Sequence, residues 1–167
     1  NTPVVVFDAA WTLLVANAPY DALMGATSTL RGIERNWVWR NLVGPRGRAV
    51  LTDEEHATVQ ARLVADLRLT VARYPADRSL VRLVDALATE SPRFAGLWRS
   101  GELESASDPA RRKTIEHPTV GRITLDCDTL VVAGDDLRIM VYTAEPGSEN
   151  ADRLALAGVR GTQSLIE

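Results

Sequence analysis

The residues able to do chemistry are few and scattered. His56 falls in the opening turn of a long helical pattern, and His117 stands beside the strand-ending Pro118. No HxH, HExxH or CxxC spacing joins them to a metal set, so hydrogen bonding at an element end is the plainer role for His117. Cys127, the one cysteine, sits between Asp126 and Asp128. Nearby carboxylates raise a thiol pKa rather than lower it, which favours a small core residue over a nucleophile. Asp126 and Asp128 share a strand face and so imitate a glycosidase pair, but that face reads as solvated. Asp135-Asp136 is turn chemistry. There is no GxGxxG or Walker sequence. The run Arg111-Arg112-Lys113 can grip a carboxylate or phosphate, or simply be a charged loop end. Trp11, Trp37, Trp39 and Trp98 can line a cavity or fill a core.

The elements that must position these residues follow from periodicity and caps. Val4 to Phe7 reads as a strand, Asp8-Ala9-Ala10 as a turn and Thr12 to Val15 as a returning strand. Asn17 and Pro19 open a short helix that Gly25 ends. Ala26 to Arg31 is a polar connection, and Glu34 to Val43 a short helix broken at Gly44-Pro45. Thr52-Asp53-Glu54-Glu55 is a capping box opening a helix with Val59, Leu63, Leu67 and Val71 on its buried stripe, stopped by Pro75. Asp77 or Ser79 caps the next helix, with Leu80, Leu83, Val84 and Leu87 inward. Ser91-Pro92 opens another, with Phe94, Leu97 and Trp98.

Ser100 to Arg112 reads as a mobile loop. Lys113 to His117 is a strand. Arg122 to Val132 alternates, with Ile123, Leu125, Cys127 and Val131 on one face, and Leu137 to Ala144 returns with Leu137, Ile139 and Val141 inward. Ser148 caps a last helix through Leu154 and Leu156, with a frayed tail from Gly158, residues 158–167. The sum is α+β: an antiparallel sheet with a helical segment, about residues 30–110, covering one face of a single domain spanning 1–167.

The 167 residues are 46% hydrophobic and 25% charged, an ordinary globular balance. The net charge of −3 argues against nucleic-acid binding by this segment alone. A membrane span and a signal peptide are not expected, nor is a cofactor, and a single cysteine fits a reducing, cytoplasmic setting.

The opening strand-turn-strand-helix resembles that of PAS domains. Taken together, FDAAW with LLVAN, Asn36 through Pro45-Arg46-x-Arg48, Leu67-Arg68, Tyr74-Pro75-Ala76-Asp77, Ser91-Pro92-x-Phe94-x-x-Leu97-Trp98, His117-Pro118-x-Val120-Gly121 and Val141-Tyr142-Thr143-Ala144-Glu145-Pro146-Gly147-Ser148 resemble the ligand-binding domain of MmyB-like transcription regulators. Ala16, Gly44 and Cys127 depart from that pattern, which has Trp, an acidic residue and an aromatic there. The resemblance implies a PAS-like sensor, an XRE-type helix-turn-helix outside these residues as the only DNA contact, a fatty acid-like ligand and a homodimer rather than an enzyme. A ligand-free dimerisation scaffold is the alternative. The expected lining is Trp37, Leu63, Leu67, Phe94 and Trp98 from the helices and Ile123, Leu125, Cys127, Ile139 and Val141 from the sheet, or their neighbours where the face is shifted by one residue, with Arg111, Arg112 or Tyr142 at the head group.

Overall fold

The β-branched run Val4–Phe7 forms β1, in which Val5 and Phe7 are buried and Val4 and Val6 face the other way. The turn after it is built on Asp8. Its carboxylate accepts the amides of Ala10 (2.9 Å) and Thr12 (2.8 Å), while its carbonyl accepts that of Trp11. This holds Trp11 at φ 63, left-handed backbone that a bulky residue seldom adopts. The chain returns as β2, Leu13–Ala16, with Leu14 bulged out of register. Asn17 then accepts the amide of Tyr20 and so starts α1, Ala18–Met24, and Gly25 at φ 101 ends it.

The computed structural model describes residues 2–101 and 111–163, with side chains through Val159. Two 3-10 turns, Thr27–Thr29 and Gly32–Arg35, precede α2, Trp37–Leu42. This helix starts later than the expected Glu34 because Asn36 is extended and caps it, accepting the amide of Trp39 while donating to the carbonyl of Ala10. The Thr52–Glu55 capping box opens α3, Asp53–Arg73. Asp77 caps α4, Arg78–Glu90, and Ser91 caps α5, Pro92–Ser100. The stretch read as a mobile loop lies, for residues 102–110, outside the described residues.

β3 (Arg112–His117), β4 (Gly121–Val132) and β5 (Leu137–Thr143) complete an antiparallel sheet of order β2-β1-β5-β4-β3. The α+β expectation holds. The final helix, α6, runs Glu149–Gln163, past the fraying expected at Gly158, because Ala157 is buried where α6 packs on α1.

One face of β5 differs from the sequence reading. Cys127 pairs with Tyr142 and Val131 with Arg138, so Arg138, Met140 and Tyr142 face inward and Ile139 and Val141 face outward. Both sets are substantially apolar, and alternation alone gives no phase.

The core has two parts. The inner sheet face packs Val5, Phe7, Ile115, Ile123, Leu125 and Tyr142 against Tyr20, Leu23 and Ala157, whereas Val38, Leu63, Val64, Leu67, Leu80, Leu87 and Phe94 form a separate helical core. Trp11 and Trp37 touch both, each ring about one aromatic contact from Phe7 (5.5 and 5.4 Å). Across this seam Asp66 of α3 accepts from Trp11 Nε1 (2.6 Å) and Arg138 Nη2 (2.7 Å), and the guanidinium lies 5.1 Å from the Trp11 ring centre.

The Arg138 side chain is only 11% exposed and Asp66 is 35% exposed. Removing the cation leaves a partly buried carboxylate with one donor. Arg138→Met should therefore cost about 2 kcal/mol, at the low end for such pairs because Asp66 retains some solvent. Urea unfolding checks this; a midpoint equal to wild type would mean the two halves do not depend on that pair.

Candidate functional site

The segment after α2 determines the site. Gly44 lets the chain turn close over the end of the helix: a Cβ there would meet the Arg40 carbonyl oxygen at 2.9 Å. The chain then reaches the free edge of β3, where the carbonyl of Arg48 accepts the amide of Glu116 (2.8 Å) and the amide of Val50 donates to Thr114 (2.8 Å). Residues 48–50 thus add a short rung to the sheet. The Arg48 side chain turns the other way and donates to the carbonyls of Ala22 (3.2 Å) and Leu23 (2.9 Å), satisfying the last turn of α1.

Beneath this strap lies a cavity of about 300 Å³. Tyr20, Met24, Leu30 and Trp37 supply its apolar surface, and Arg40, Asn41, Arg46, Arg48 and His56 its polar surface. Among the described residues no carboxylate lines it. Arg46 is paired with Asp53 at 2.6 Å on the exposed side. Asn41 donates to the Trp37 carbonyl, and Gln60 of α3 donates to that of Asn41, which fixes the wall to the long helix. Arg40 rests beside the Trp37 ring, 5.9 Å from its centre. Burial pushes the Tyr20 phenol well above its ordinary range, with the charge of Arg40 the main opposing influence, so the hydroxyl stays protonated.

A second cavity of about 390 Å³ lies between the β1–β2 turn, the α3–α4 junction and the β4–β5 turn, with Asp8, Tyr74, Asp77, Leu80, Leu83, Asp135 and Asp136 in its wall. Three of its acids have local roles. Asp8 holds its turn, Asp77 caps α4, and Asp136 binds Arg73 and the Tyr74 hydroxyl. Among the described residues no group of three or more His, Cys, Asp and Glu is placed to hold a metal ion.

Of the residues expected to line a pocket, Trp37 borders the first cavity. Tyr142 lies behind it, 6.0 Å from the Tyr20 ring. Ile123 and Leu125 are in the sheet core, while Leu63, Leu67 and Phe94 are in the helical core and Trp98 stacks on Phe94 at 5.3 Å. The structure does not bring these two groups together around one space. Ile139 and Val141 are on the outer face of the sheet. Arg111 and Arg112 are exposed and pair with Asp128 (3.1 Å) and Asp126 (3.5 Å), away from the cavity. Sequence reasoning missed Tyr20, Met24, Leu30, Arg40, Arg46, Arg48 and His56. The Pro45-Arg46-x-Arg48 stretch was the available signal: paired cations directly after a Gly-Pro break.

His56 lies below its ordinary pKa, first through burial and then through the charge of Arg46, with Asp53 opposing. The unfolded chain therefore binds more protons near the ordinary histidine pKa, and stability should fall as pH drops through that range. Urea midpoints at pH 7.5 and 5.5 should show a smaller loss for His56→Gln than for wild type; identical losses would remove His56 from the pH response.

No curated protein matches the chain. Residues 1–157, strap, cavity and sheet included, match the family described as "MmyB-like transcription regulator ligand binding domain". The family is one of regulator domains and not of enzymes, and on a match covering almost the whole chain, this protein belongs to the MmyB-like transcription regulator ligand-binding domains.

Proposed function

We propose that this domain senses a small, largely apolar, fatty acid-like molecule in the cavity under the 45–51 strap and passes its occupancy to an attached helix-turn-helix reader. The observation that carries the reading is the cavity itself: an apolar floor of Tyr20, Met24, Leu30 and Trp37 beneath a rim of cations with, among the described residues, no lining carboxylate. Its volume lies at the lower end of small-molecule sites. Each methylene buried on that floor contributes about 0.8 kcal/mol, so about ten of them are needed to reach the roughly 8 kcal/mol of micromolar binding, and a polar head-group contact must offset the cost of association.

Small molecules extracted from the purified protein should include a co-purifying amphiphile by mass spectrometry. Leu30→Trp, which fills the cavity, should lower its amount at least tenfold while thermal unfolding stays within a few degrees of wild type. An empty extract, or a Leu30→Trp protein equally loaded, would remove the cavity as the ligand site.

The dimerisation reading has its own support. The outer sheet face carries Val6, Ile139 and Val141 in paired register, with Val15 (59% exposed) and Leu130 (56% exposed) beside them. We take a homodimer through this face as part of the function, since a two-fold reader of DNA needs paired domains. Leu130→Lys should shift the mass in light scattering from dimer to monomer; a wild-type monomer at high concentration would refute the pairing.

A further inference from the structure

The cations around the cavity are not equivalent. Arg46 is matched by Asp53, and Arg48 spends its guanidinium on the carbonyls of Ala22 and Leu23. Arg40 differs. It is half-buried in α2, its guanidinium faces Trp37, and among the described residues its side chain has no carboxylate and no hydrogen-bond acceptor. Among the described residues Arg68 Nη1 is the one buried side-chain nitrogen or oxygen without a partner, so the Arg40 donors stay open to solvent and to an incoming group, and a planar fork of donors is suited to one bidentate anion. The protonated Tyr20 phenol beside it offers a further donor and no competing charge.

We infer that Arg40 is the head-group residue of the site: it binds a single anionic group, carboxylate or phosphate, of a ligand whose tail lies along Trp37, Leu30 and Met24. This rests on the reading that the ligand occupies this cavity. Charge class is then chosen at one position. Arg46 and Arg48 keep their structural partners, Asp53 on one side and the end of α1 on the other, when the ligand arrives.

The test uses four probes with one tail: dodecanoate, monododecyl phosphate, dodecan-1-ol and dodecyltrimethylammonium, titrated calorimetrically into delipidated protein. At least one anion should bind ten- to a hundredfold more tightly than the alcohol, the range expected for a charge-assisted hydrogen-bonded pair, with the cation weakest. The tighter of the two anions identifies the head group. Arg40→Met should bring the anion down to the affinity of the alcohol and leave the alcohol unchanged. Arg40→Lys should recover part of the loss, and Arg111→Met should behave as wild type. An anion that binds folded Arg40→Met as tightly as wild type, or an alcohol that matches the anion, overturns the head-group assignment while leaving the cavity reading standing. If none of the four binds wild type, both fall.

Discussion

The contact of Asp66 with Arg138 and Trp11 is the constraint on which the arrangement depends. The sheet and the long helix have separate apolar cores, and dispersion within each says little about how one is set against the other. A directional contact does. Asp66 fixes the height of α3 relative to β5, and the same carboxylate fixes the indole of Trp11, whose left-handed backbone is held by Asp8. Trp11 in turn accepts the amide of Trp37 on its carbonyl (2.8 Å), which places the start of α2. The cavity floor is therefore located by a chain of hydrogen bonds that begins 20 residues or more away in sequence from most of the groups it positions.

From α2 onward the same logic sets the strap. Arg48 is bonded by its backbone to β3 and by its side chain to α1, so it closes the cavity on two sides at once. A third tie is Arg46 to Asp53, in the first turn of α3. These ties differ in strength. The backbone rungs are regular sheet bonds, the Arg48 contacts are charge-assisted, and the Arg46 pair is largely exposed and worth little. If the strap moves to admit a ligand, it should loosen at its exposed Arg46 end, next to His56, and hinge at the end bonded to β3.

Local signals in the sequence were enough for the elements but not for their facing. Asn17, Thr52 with Glu55, and Ser91-Pro92 are caps whose partners lie within three residues, and each helix starts where its cap predicts. The end of α6 was missed because glycines at 158 and 161 weaken a helix in isolation, whereas packing on α1 holds it. β5 was set one residue out of phase because its inner face is decided by a buried arginine. That arginine finds its carboxylate 72 residues away, and no window along the chain contains both. The site was hidden for the same reason. Tyr20, Leu30, Arg40, Arg48 and His56 come from five different local patterns, and the strap crossing from α2 to β3 brings them around one space.

The placement of cations also bears on what such a site can discriminate. An apolar floor separates ligands differing by one methylene by about 1–3 kcal/mol, and neighbouring chain lengths overlap in affinity. A charged group that must find an acceptor in a partly buried site discriminates more sharply, because a neutral ligand leaves it desolvated and unpaired. The floor of this cavity is built from flexible or rotatable groups, Met24 and Leu30 beside the Trp37 ring, which tolerate several tail shapes. Among the described residues its rim has no acid to cancel Arg40 from within. On the proposed reading, such a domain discriminates acidic amphiphiles through the head group and leaves chain length to be read coarsely by how far the tail extends beyond Trp37.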